Sequence, residues 1–232
     1  MWNIGMRRIG IVVAAALAAT AAMACNNQES ATTAAHREAT DAHNLVQNAA
    51  GVAERMKTDP QLHKLMDQAK AIFIVPNYTK GAIVVGGSGG KGVLLARENA
   101  KWSDPAFYDI GAISLGAQAG GKVGDYAMLL MNDKALDKFK SGNAFSLNAN
   151  AGVTLADYSA QGQASAGTGS DVVLWSSVRG AFAGASIGAT DVAFDDDETS
   201  AYYGRTTVSA QDILTGKVTG PQEDALGRVL SS

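Results

Sequence analysis

Three short apolar runs separated by turn residues constrain the fold of this chain more than any other feature. The runs span residues 72–75, 82–85 and 93–96 and are rich in β-branched side chains. Proline and asparagine at 76–77 separate the first two runs, and a mostly glycine segment at 86–92 separates the last two. Apolar runs of about four to eight residues between such turns are typical of buried strands. The stretch therefore predicts three short strands.

The glycine-rich segment 87–92 also matches the spacing G-x-G-x-x-G, which binds dinucleotides in some folds. That motif needs a helix directly after it, because the N-terminal amides of the helix hold the pyrophosphate. Here the apolar run 93–95 follows instead. A phosphate loop is excluded too, since Val85 replaces its first glycine and Gly92 its serine or threonine. The segment is interpreted as a hairpin turn in which glycine supplies positive φ angles.

The composition is that of a globular protein rather than a linker or a nucleic-acid binder. Of the 232 residues, 47% are hydrophobic and 18% are charged, which is enough apolar material for a packed core. There are 26 glycines but only 4 prolines, as in closely packed β structure with many turns. The net charge is −3 and no long basic run occurs, which argues against nucleic acid as a partner.

Residues 1–24 have the pattern of an export signal. Arg7 and Arg8 form a charged start, an apolar segment follows at 9–20, and small residues at 22–24 form a cleavage site. An apolar helix of that length spans about 18 Å, which is short of the roughly 30 Å hydrocarbon core of a bilayer. The segment is therefore predicted to be a signal peptide rather than a permanent transmembrane helix.

The only cysteine, Cys25, directly follows the predicted cleavage site. It is either the acylated first residue of a bacterial lipoprotein or a free thiol left by ordinary signal peptidase. A lone cysteine in an oxidising compartment has no internal partner, which favours the lipoprotein, whose acyl chains (such as palmitate) anchor it to a membrane. Asn26 in second place resembles lipoproteins of the outer membrane, which face the periplasm or the cell surface. Residues 25–34 then form a lipidated tether.

The region after the tether has helical spacing. Leu45, Ala49, Val52 and Met56 form one apolar stripe within a helix predicted over 34–57. Pro60 is suited to the first position of a second helix. The stripe could lie against the membrane or against the protein's own sheet. The second arrangement is favoured because the stripe lacks tryptophan and phenylalanine and the polar face is not rich in lysine and arginine.

The sequence gives little support for catalysis or for a metal site. His36, His43 and His63 are the only histidines, they all lie in the helical region, and no two of them are four residues apart. A zinc site or a serine–histidine–aspartate arrangement in the β-rich part would need a histidine from these helices. No catalytic residue, metal ligand or cofactor is therefore predicted.

Alternating apolar residues and frequent turns predict a β-rich second part. Asn132 is predicted to cap a helix over 133–140. The segment 145–155, in which apolar and polar residues alternate, is predicted to be one long strand. The acidic run 195–198 is predicted to be a solvated turn. The remaining strands are predicted at 111–119, 123–131, 172–175 and 182–187, and short helices at 209–214 and 221–230. The predicted fold is α+β and β-rich: N-terminal helices, then an antiparallel barrel or two-layer sheet with short C-terminal helices, all within 35–232.

Five sequence blocks resemble, in order, those of the SYLF domain, a lipid-binding domain of bacteria and eukaryotes. They are AKAIFIVPNYTKGAIVVGGSGGKGVLLAR (69–97), WSDPAF (102–107), GAQAGG (116–121), WSSVRGAFAG (175–184), and a closing pair, YYG (202–204) and ILTG (213–216). The resemblance covers about residues 34–230. At Ser177 and Val178, however, many members have arginine and serine, so one positive charge that could contact a headgroup is missing.

The resemblance implies lipid binding without catalysis, in the branch of exported bacterial lipoproteins. Eukaryotic members are associated with phosphoinositides and actin patches, but export from a bacterium removes actin as a partner. The expected partners are membrane phospholipids, including anionic headgroups. Cys25 is the candidate anchor, and Lys91, Trp102 and Arg179 are candidate lipid contacts. The alternatives are a structural or host-interaction (antigenic) surface lipoprotein without a lipid pocket of its own, and an envelope hydrolase, which would need a pair of perturbed carboxylates in a cleft.

Overall fold

The structure is a computed structural model. It describes residues 33, 35–79, 89–111, 113–114, 123–147, 152–158, 169–178, 188–220 and 224–232. The predicted signal peptide, Cys25, Arg179 and the predicted strands at 82–85 and 182–187 lie outside these residues. Across the described part of the chain, no helix combines the length and the apolar character that crossing a membrane requires.

Two helices precede the sheet, as predicted. Helix α1 covers residues 35–57, and helix α2 is Pro60–Gln68. Asp59 caps α2 by accepting hydrogen bonds from the amides of Gln61 and Leu62, and Pro60 occupies the first turn, where no intrahelical donor is needed. Three of the four stripe residues, Ala49, Val52 and Met56, are buried in the protein's own core, and Leu45 is partly buried against it. This confirms packing on the domain rather than on a membrane.

The described strands form one curled sheet that makes a half-barrel. They are β1 Ala71–Thr79, β2 Gly90–Glu98, β3 Lys101–Trp102, β4 Ala106–Ile110, β5 Ile113–Ser114, β6 Val123–Leu130, β7 Phe145–Leu147, β8 Leu155–Tyr158, β9 Val172–Ser176 and β10 Gly188–Phe194. Their order is β5-β10-β4-β2-β1-β6-β9-β8, with β3 beside β2 and β7 beside β10. The described pairs are antiparallel except β8 with β9, which is parallel. The predicted β-rich α+β class is confirmed.

Four short helices complete the described fold: α3 Asp133–Lys140, α4 Asp196–Tyr203, α5 Ala210–Leu214 and α6 Ala225–Ser231. Helix α3 has the predicted bounds and the predicted cap, since the side chain of Asn132 accepts a hydrogen bond from the Ala135 amide. Its buried residues are the predicted ones, Ala135, Leu136 and Phe139.

Buried side chains cover both faces of the central strands. On one face Phe73 packs against Tyr108 and Phe139, with ring centroids 6.0 and 5.4 Å away. On the other face Phe107 lies 5.1 Å from the ring of Tyr202, which belongs to α4. Strands buried on both faces have continuous apolar sequences, which is why the runs in β1 and β2 show no alternation.

Strand β1 does not end at Pro76, contrary to the prediction. Its pairing with β6 continues beyond the proline through an irregularity between Val75 and Tyr78, where Asn77 has a φ of 53°. The amide of Asn77 donates to the carboxylate of Asp125 instead of to the ladder. A bulge of this kind lets a strand accommodate a proline, which has no amide hydrogen to donate.

Two further predictions were wrong. The single strand predicted over 145–155 is divided: β7 pairs with β10, β8 pairs with β9, and Gly152 between them has a φ of 74°. The acidic run 195–198 is not a solvated turn, because Asp195 caps α4 and the other three residues form its first turn. Carboxylates are favoured there by the positive end of the helix dipole.

Candidate functional site

A groove lies between the start of α1, one end of the sheet and the start of α4. Its volume is about 640 Å³, within the usual range for small-ligand pockets. Six carboxylates line it, against the single cation Lys91: Glu38, Asp41, Asp109, Asp195, Asp197 and Glu198. The groove is therefore strongly acidic.

Local structure explains how the charged groups come together. Glu38 and Asp41 are three residues apart on α1, so both can line the groove. Lys91 on β2 is paired in register with Asp109 on β4. Asp195 and Glu198 are brought in by the cap of α4, because the side chain of Asp195 accepts a hydrogen bond from the Glu198 amide.

Lys91 forms the centre of this arrangement. Its Nζ contacts Asp195 Oδ2, lies 2.6 Å from Glu198 Oε2 and lies 3.7 Å from Asp109 Oδ1. The side chains of Asp195 and Glu198 are 9% and 7% exposed, whereas that of Lys91 is 51% exposed. A lysine on the rim thus neutralises part of the charge of two buried carboxylates.

The two buried carboxylates have opposite pKa shifts. Burial acts to raise the pKa of Asp195, but the Glu198 amide and Lys91 outweigh it and hold that pKa below its usual value. Burial raises the pKa of Glu198, and Lys91 only partly offsets this. Burial would lower the pKa of Lys91, yet its hydrogen bonds to both carboxylates raise it. Asp195 is therefore the more acidic member of the pair.

A perturbed carboxylate pair in a cleft is the feature that would favour a hydrolase, and in this groove the pair is engaged in hydrogen bonds and ion pairs. Asp195 Oδ1 accepts from the Glu198 amide, and one oxygen of each carboxylate binds Lys91. The arrangement holds β2 against α4.

We expect the substitution Lys91→Met to lower the free energy of unfolding by about 2 kcal/mol. It leaves Asp195 and Glu198 buried without their cation, and water screens only part of an interaction with a half-exposed lysine. Urea unfolding followed by circular dichroism at neutral pH measures the change. The added substitution Glu198→Gln should recover part of the loss, because it removes one uncompensated charge.

The control for this prediction is Lys64→Met, the same substitution at an exposed position of α2. It should change the free energy of unfolding by no more than about 0.5 kcal/mol. Equal effects of Lys91→Met and Lys64→Met would show that the ion pairs around Lys91 do not support the fold.

Trp102, the second candidate lipid contact, lies far from Lys91 along β2, beside the opposite end of that strand. It is partly buried, its Nε1 donates to the carbonyl of Leu230 at 3.1 Å, and the guanidinium of Arg97 lies 4.5 Å from its ring centroid. The structure therefore does not bring Lys91 and Trp102 into one site. Their roles in lipid contact stay predictions, as do those of Cys25 and Arg179, which lie outside the described residues.

The sequence analysis missed Asp195 and Glu198 because it interpreted their run as a solvated turn. A signal was present: an aspartate followed three residues later by glutamate has the spacing of a capping box. Their pairing with Lys91 had no such signal, since the lysine is 104 residues away in sequence.

The histidines lie apart from this groove's charged centre. The rings of His43 and Tyr202 lie tilted against each other with centroids 4.8 Å apart, and His43 Nδ1 is hydrogen-bonded to the carbonyl of Ala39. The Nε2 atom of His63 lies 3.9 Å from Asp67 Oδ1. Within the ranges that the structure describes, no three His, Cys, Asp or Glu side chains are grouped so that they could hold a metal ion.

Comparison with known proteins identifies relatives of this domain. The model of the family "Ysc84: Las17-binding protein actin regulator" matches residues 111–232. SH3 domain-containing YSC84-like protein 1 of Bos taurus is 30% identical over 169 residues, which are 71% of this chain and 49% of that protein. Protein YSC84 of Saccharomyces cerevisiae is 29% identical over 174 residues, 72% of this chain and 37% of that protein.

A third relative, an SH3 domain-containing protein of Schizosaccharomyces pombe, is 30% identical over 175 residues. The match covers 72% of this chain and 40% of that protein. The chain thus spans about half the length, or less, of the curated relatives that it matches.

Proposed function

Because this chain belongs to the Ysc84 family, whose SYLF blocks it carries, we propose that it is a non-catalytic lipid-binding lipoprotein of the bacterial cell envelope. The family is described as a Las17-binding protein and actin regulator, and the Bos taurus relative is named for an SH3 domain. Those names describe the relatives. This chain, too, is proposed to act by binding, and its proposed partner is membrane lipid.

One observation carries the proposal that the membrane link is an anchor rather than an inserted helix. The apolar side of α1 is buried in the core, where Ala49, Ala53 and Met56 are each 0% exposed. The apolar side of the described helix α1 therefore faces the core rather than a bilayer. An acylated Cys25, joined through the tether 25–34, supplies the attachment in its place.

The anchor is tested with the substitution Cys25→Ser in a Gram-negative host. Wild-type protein should fractionate with the outer membrane, and the mass of its N-terminal peptide should include acyl chains. The Cys25→Ser protein should lose both properties. A wild-type N-terminal peptide with a free Cys25 thiol, or membrane fractionation that is unchanged by Cys25→Ser, would contradict the anchor.

A second candidate function is a surface lipoprotein without a lipid pocket of its own. It is favoured by the charged side chains that line two of the described cavities. The groove around Lys91 carries six carboxylates, and a second cavity of about 440 Å³, near Trp102, is lined by Asp104, Asp224 and Arg228, among others. Acyl chains bind in apolar pockets, so lipid recognition by this domain would have to use headgroups. Binding to vesicles without the anchor distinguishes the two functions.

A further inference from the structure

Three neighbouring cations lie at the end of the sheet that is opposite the groove around Lys91. They are Lys70, directly before β1, Arg97 near the end of β2, and Lys101 at the start of β3. Lys91 comes six residues before Arg97 on β2, which separates the two ends by about 20 Å. We call Lys70, Arg97 and Lys101 the cationic end.

The local structure of the sheet brings these three residues together. The amide of Arg97 donates to the carbonyl of Lys70 at 2.7 Å, and Arg97 is followed by a tight turn that leads to Lys101. The two central residues of the turn, Asn99 and Ala100, have φ angles of 48° and 64°. Two positive φ angles are typical of a type I′ hairpin turn. Both central residues and Lys101 are exposed, so the lysine lies at the tip of a hairpin.

None of the three cations has an ion pair within the ranges that the structure describes. Glu98 pairs in register with Lys101, but its carboxylate lies 3.3 Å from Lys140 Nζ instead. Asp67, at the end of α2, lies 3.9 Å from His63. The positive charge of the cationic end therefore faces solvent without a carboxylate of its own.

Arg97 is held in place, whereas the two lysines are exposed. The guanidinium of Arg97 donates to the carbonyls of Asp67 at 2.6 Å and Met66 at 3.4 Å, near the C-terminal end of α2. Part of its charge thus offsets the negative end of the α2 dipole. Lys70 and Lys101 are exposed and have the mobile stems of lysine, so they are the residues that can reach a partner.

The shape of the cationic end suits an extended partner rather than a small ligand. The cavity that Arg97 and Trp102 line has no room for a small molecule. The exposed lysines lie beside β1 and at a hairpin tip instead of inside a groove. A partner that meets such a surface through charge is anionic and extended, as a layer of phospholipid headgroups is.

We propose that the cationic end is the surface through which the domain contacts an anionic phospholipid bilayer, with the hairpin tip at the headgroups and the acidic groove directed away from them. The inference rests on the proposed lipid-binding function and adds to it the contact surface and the orientation. An anionic bilayer attracts Lys70 and Lys101 and repels the six carboxylates of the groove. Charge alone therefore selects one orientation.

The negative net charge of the chain, −3, does not prevent this contact. The Debye length is about 8 Å at physiological salt, so an acidic groove about 20 Å away is largely screened from the headgroups. Asp104 and Asp224 line a separate cavity beside Trp102, where Arg228 offsets part of the charge of Asp224. The cations closest to the bilayer thus dominate the interaction.

Vesicle binding by the full chain carrying Cys25→Ser tests the surface. The vesicles contain phosphatidylcholine and phosphatidylglycerol at low salt. Lys70→Gln combined with Lys101→Gln removes two positive charges and should weaken binding about thirtyfold, about fivefold for each lysine. Both lysines are exposed and have no described ion pair, so the circular dichroism spectrum should not change.

The matched control is Arg37→Glu, which alters the net charge by the same amount at the opposite end of the molecule. Arg37 is exposed and directly precedes Glu38, which lines the acidic groove. This variant should bind within about twofold of wild type, because its position is screened from the headgroups in the proposed orientation. The comparison separates the position of a charge from the net charge.

A fluorescent label shows the orientation directly. Cys25 is the only cysteine, so the chain with Cys25→Ser accepts one new thiol, either Ala100→Cys at the hairpin tip or Thr40→Cys near the start of α1. Both positions are exposed. Lipids that carry a nitroxide on the headgroup should quench a label at position 100 and leave a label at position 40 bright.

The outcomes distinguish this inference from the function on which it rests. Wild-type binding that the double lysine variant leaves unchanged, or that Arg37→Glu weakens equally, would overturn the cationic end and leave lipid binding standing. Quenching at position 40 that equals or exceeds quenching at position 100 would overturn it as well. Absence of wild-type binding to these vesicles would contradict both the cationic end and lipid recognition by the domain.

Discussion

Replacing Asp171 with alanine is expected to lower the free energy of unfolding by about 3 kcal/mol. The Asp171 carboxylate accepts four hydrogen bonds: from the Thr154 amide at 2.7 Å, the Thr154 hydroxyl at 3.0 Å, Asn132 Nδ2 at 2.7 Å and Lys134 Nζ at 3.1 Å. It therefore joins the segment before β8, the segment before β9 and the start of α3. Alanine removes all four hydrogen bonds. It also leaves the side-chain Nδ2 of Asn132, the capping residue of α3, without this partner.

Asp171→Asn is the matched control, because it keeps the shape and an acceptor but removes the charge. It should lose less stability than Asp171→Ala. The pKa of Asp171 lies far below its usual value. The hydrogen bond from the Thr154 amide has the largest effect, and the hydrogen bonds from Asn132 and Lys134 lower the pKa further. A lowered pKa gives stability that is present above about pH 4 and is lost as the pH falls through the folded-state pKa.

The stability difference between wild type and Asp171→Asn should accordingly narrow on acidification from about pH 5 to about pH 2. Thermal or urea unfolding at several pH values measures it. A difference that does not change with pH, or an Asp171→Ala protein as stable as wild type, would show that this carboxylate is not a structural junction.

Gly92→Ala is expected to destabilise the fold by about 3 kcal/mol through overpacking. A Cβ at this position would lie 2.4 and 2.5 Å from two ring atoms of Phe73 and 2.9 Å from the carbonyl oxygen of Ile74. The Phe73 ring cannot move aside freely, because it is fully buried against Tyr108 and Phe139. The backbone carbonyl belongs to the neighbouring central strand, so its displacement would disturb the sheet itself.

The control is Gly51→Ala, in the middle of α1. There a Cβ would approach only the flexible end of Arg55, at 3.6 Å. Alanine has a lower entropy cost than glycine in a helix, so this variant should gain about 0.5 to 1 kcal/mol. Equal unfolding midpoints for Gly92→Ala and wild type would mean that β2 does not approach Phe73 as closely as described.

The parts of the fold that the sequence predicted are those fixed by neighbouring residues. Asn132 and the apolar spacing after it define α3, and Asp59 with Pro60 defines the start of α2, because a cap needs only residues within one turn. Strand pairing depends on distant residues. Nothing local to 145–155 indicates that β7 joins β10 while β8 lies parallel to β9.

In the candidate site, too, the local features could be predicted from the sequence and the long-range contacts could not. Lys91 was identified as a cation of interest, and the capping spacing of Asp195 and Glu198 was available in the sequence. Their meeting in one groove depends on β2 pairing with β4 and on α4 following β10, which is long-range topology. Burial then decides the chemistry, since the same acidic run in solvent would carry no perturbed carboxylates.

The measurement that tests the lipid-binding function most directly is co-sedimentation of the Cys25→Ser chain with vesicles. Neutral phosphatidylcholine vesicles and anionic vesicles with phosphatidylglycerol are each used at low and high salt. We expect the chain to sediment with vesicles although it lacks the anchor, and the effect of salt to distinguish headgroup charge from apolar insertion. Failure to sediment with any vesicle would contradict lipid recognition by the domain and leave Cys25 as its membrane link.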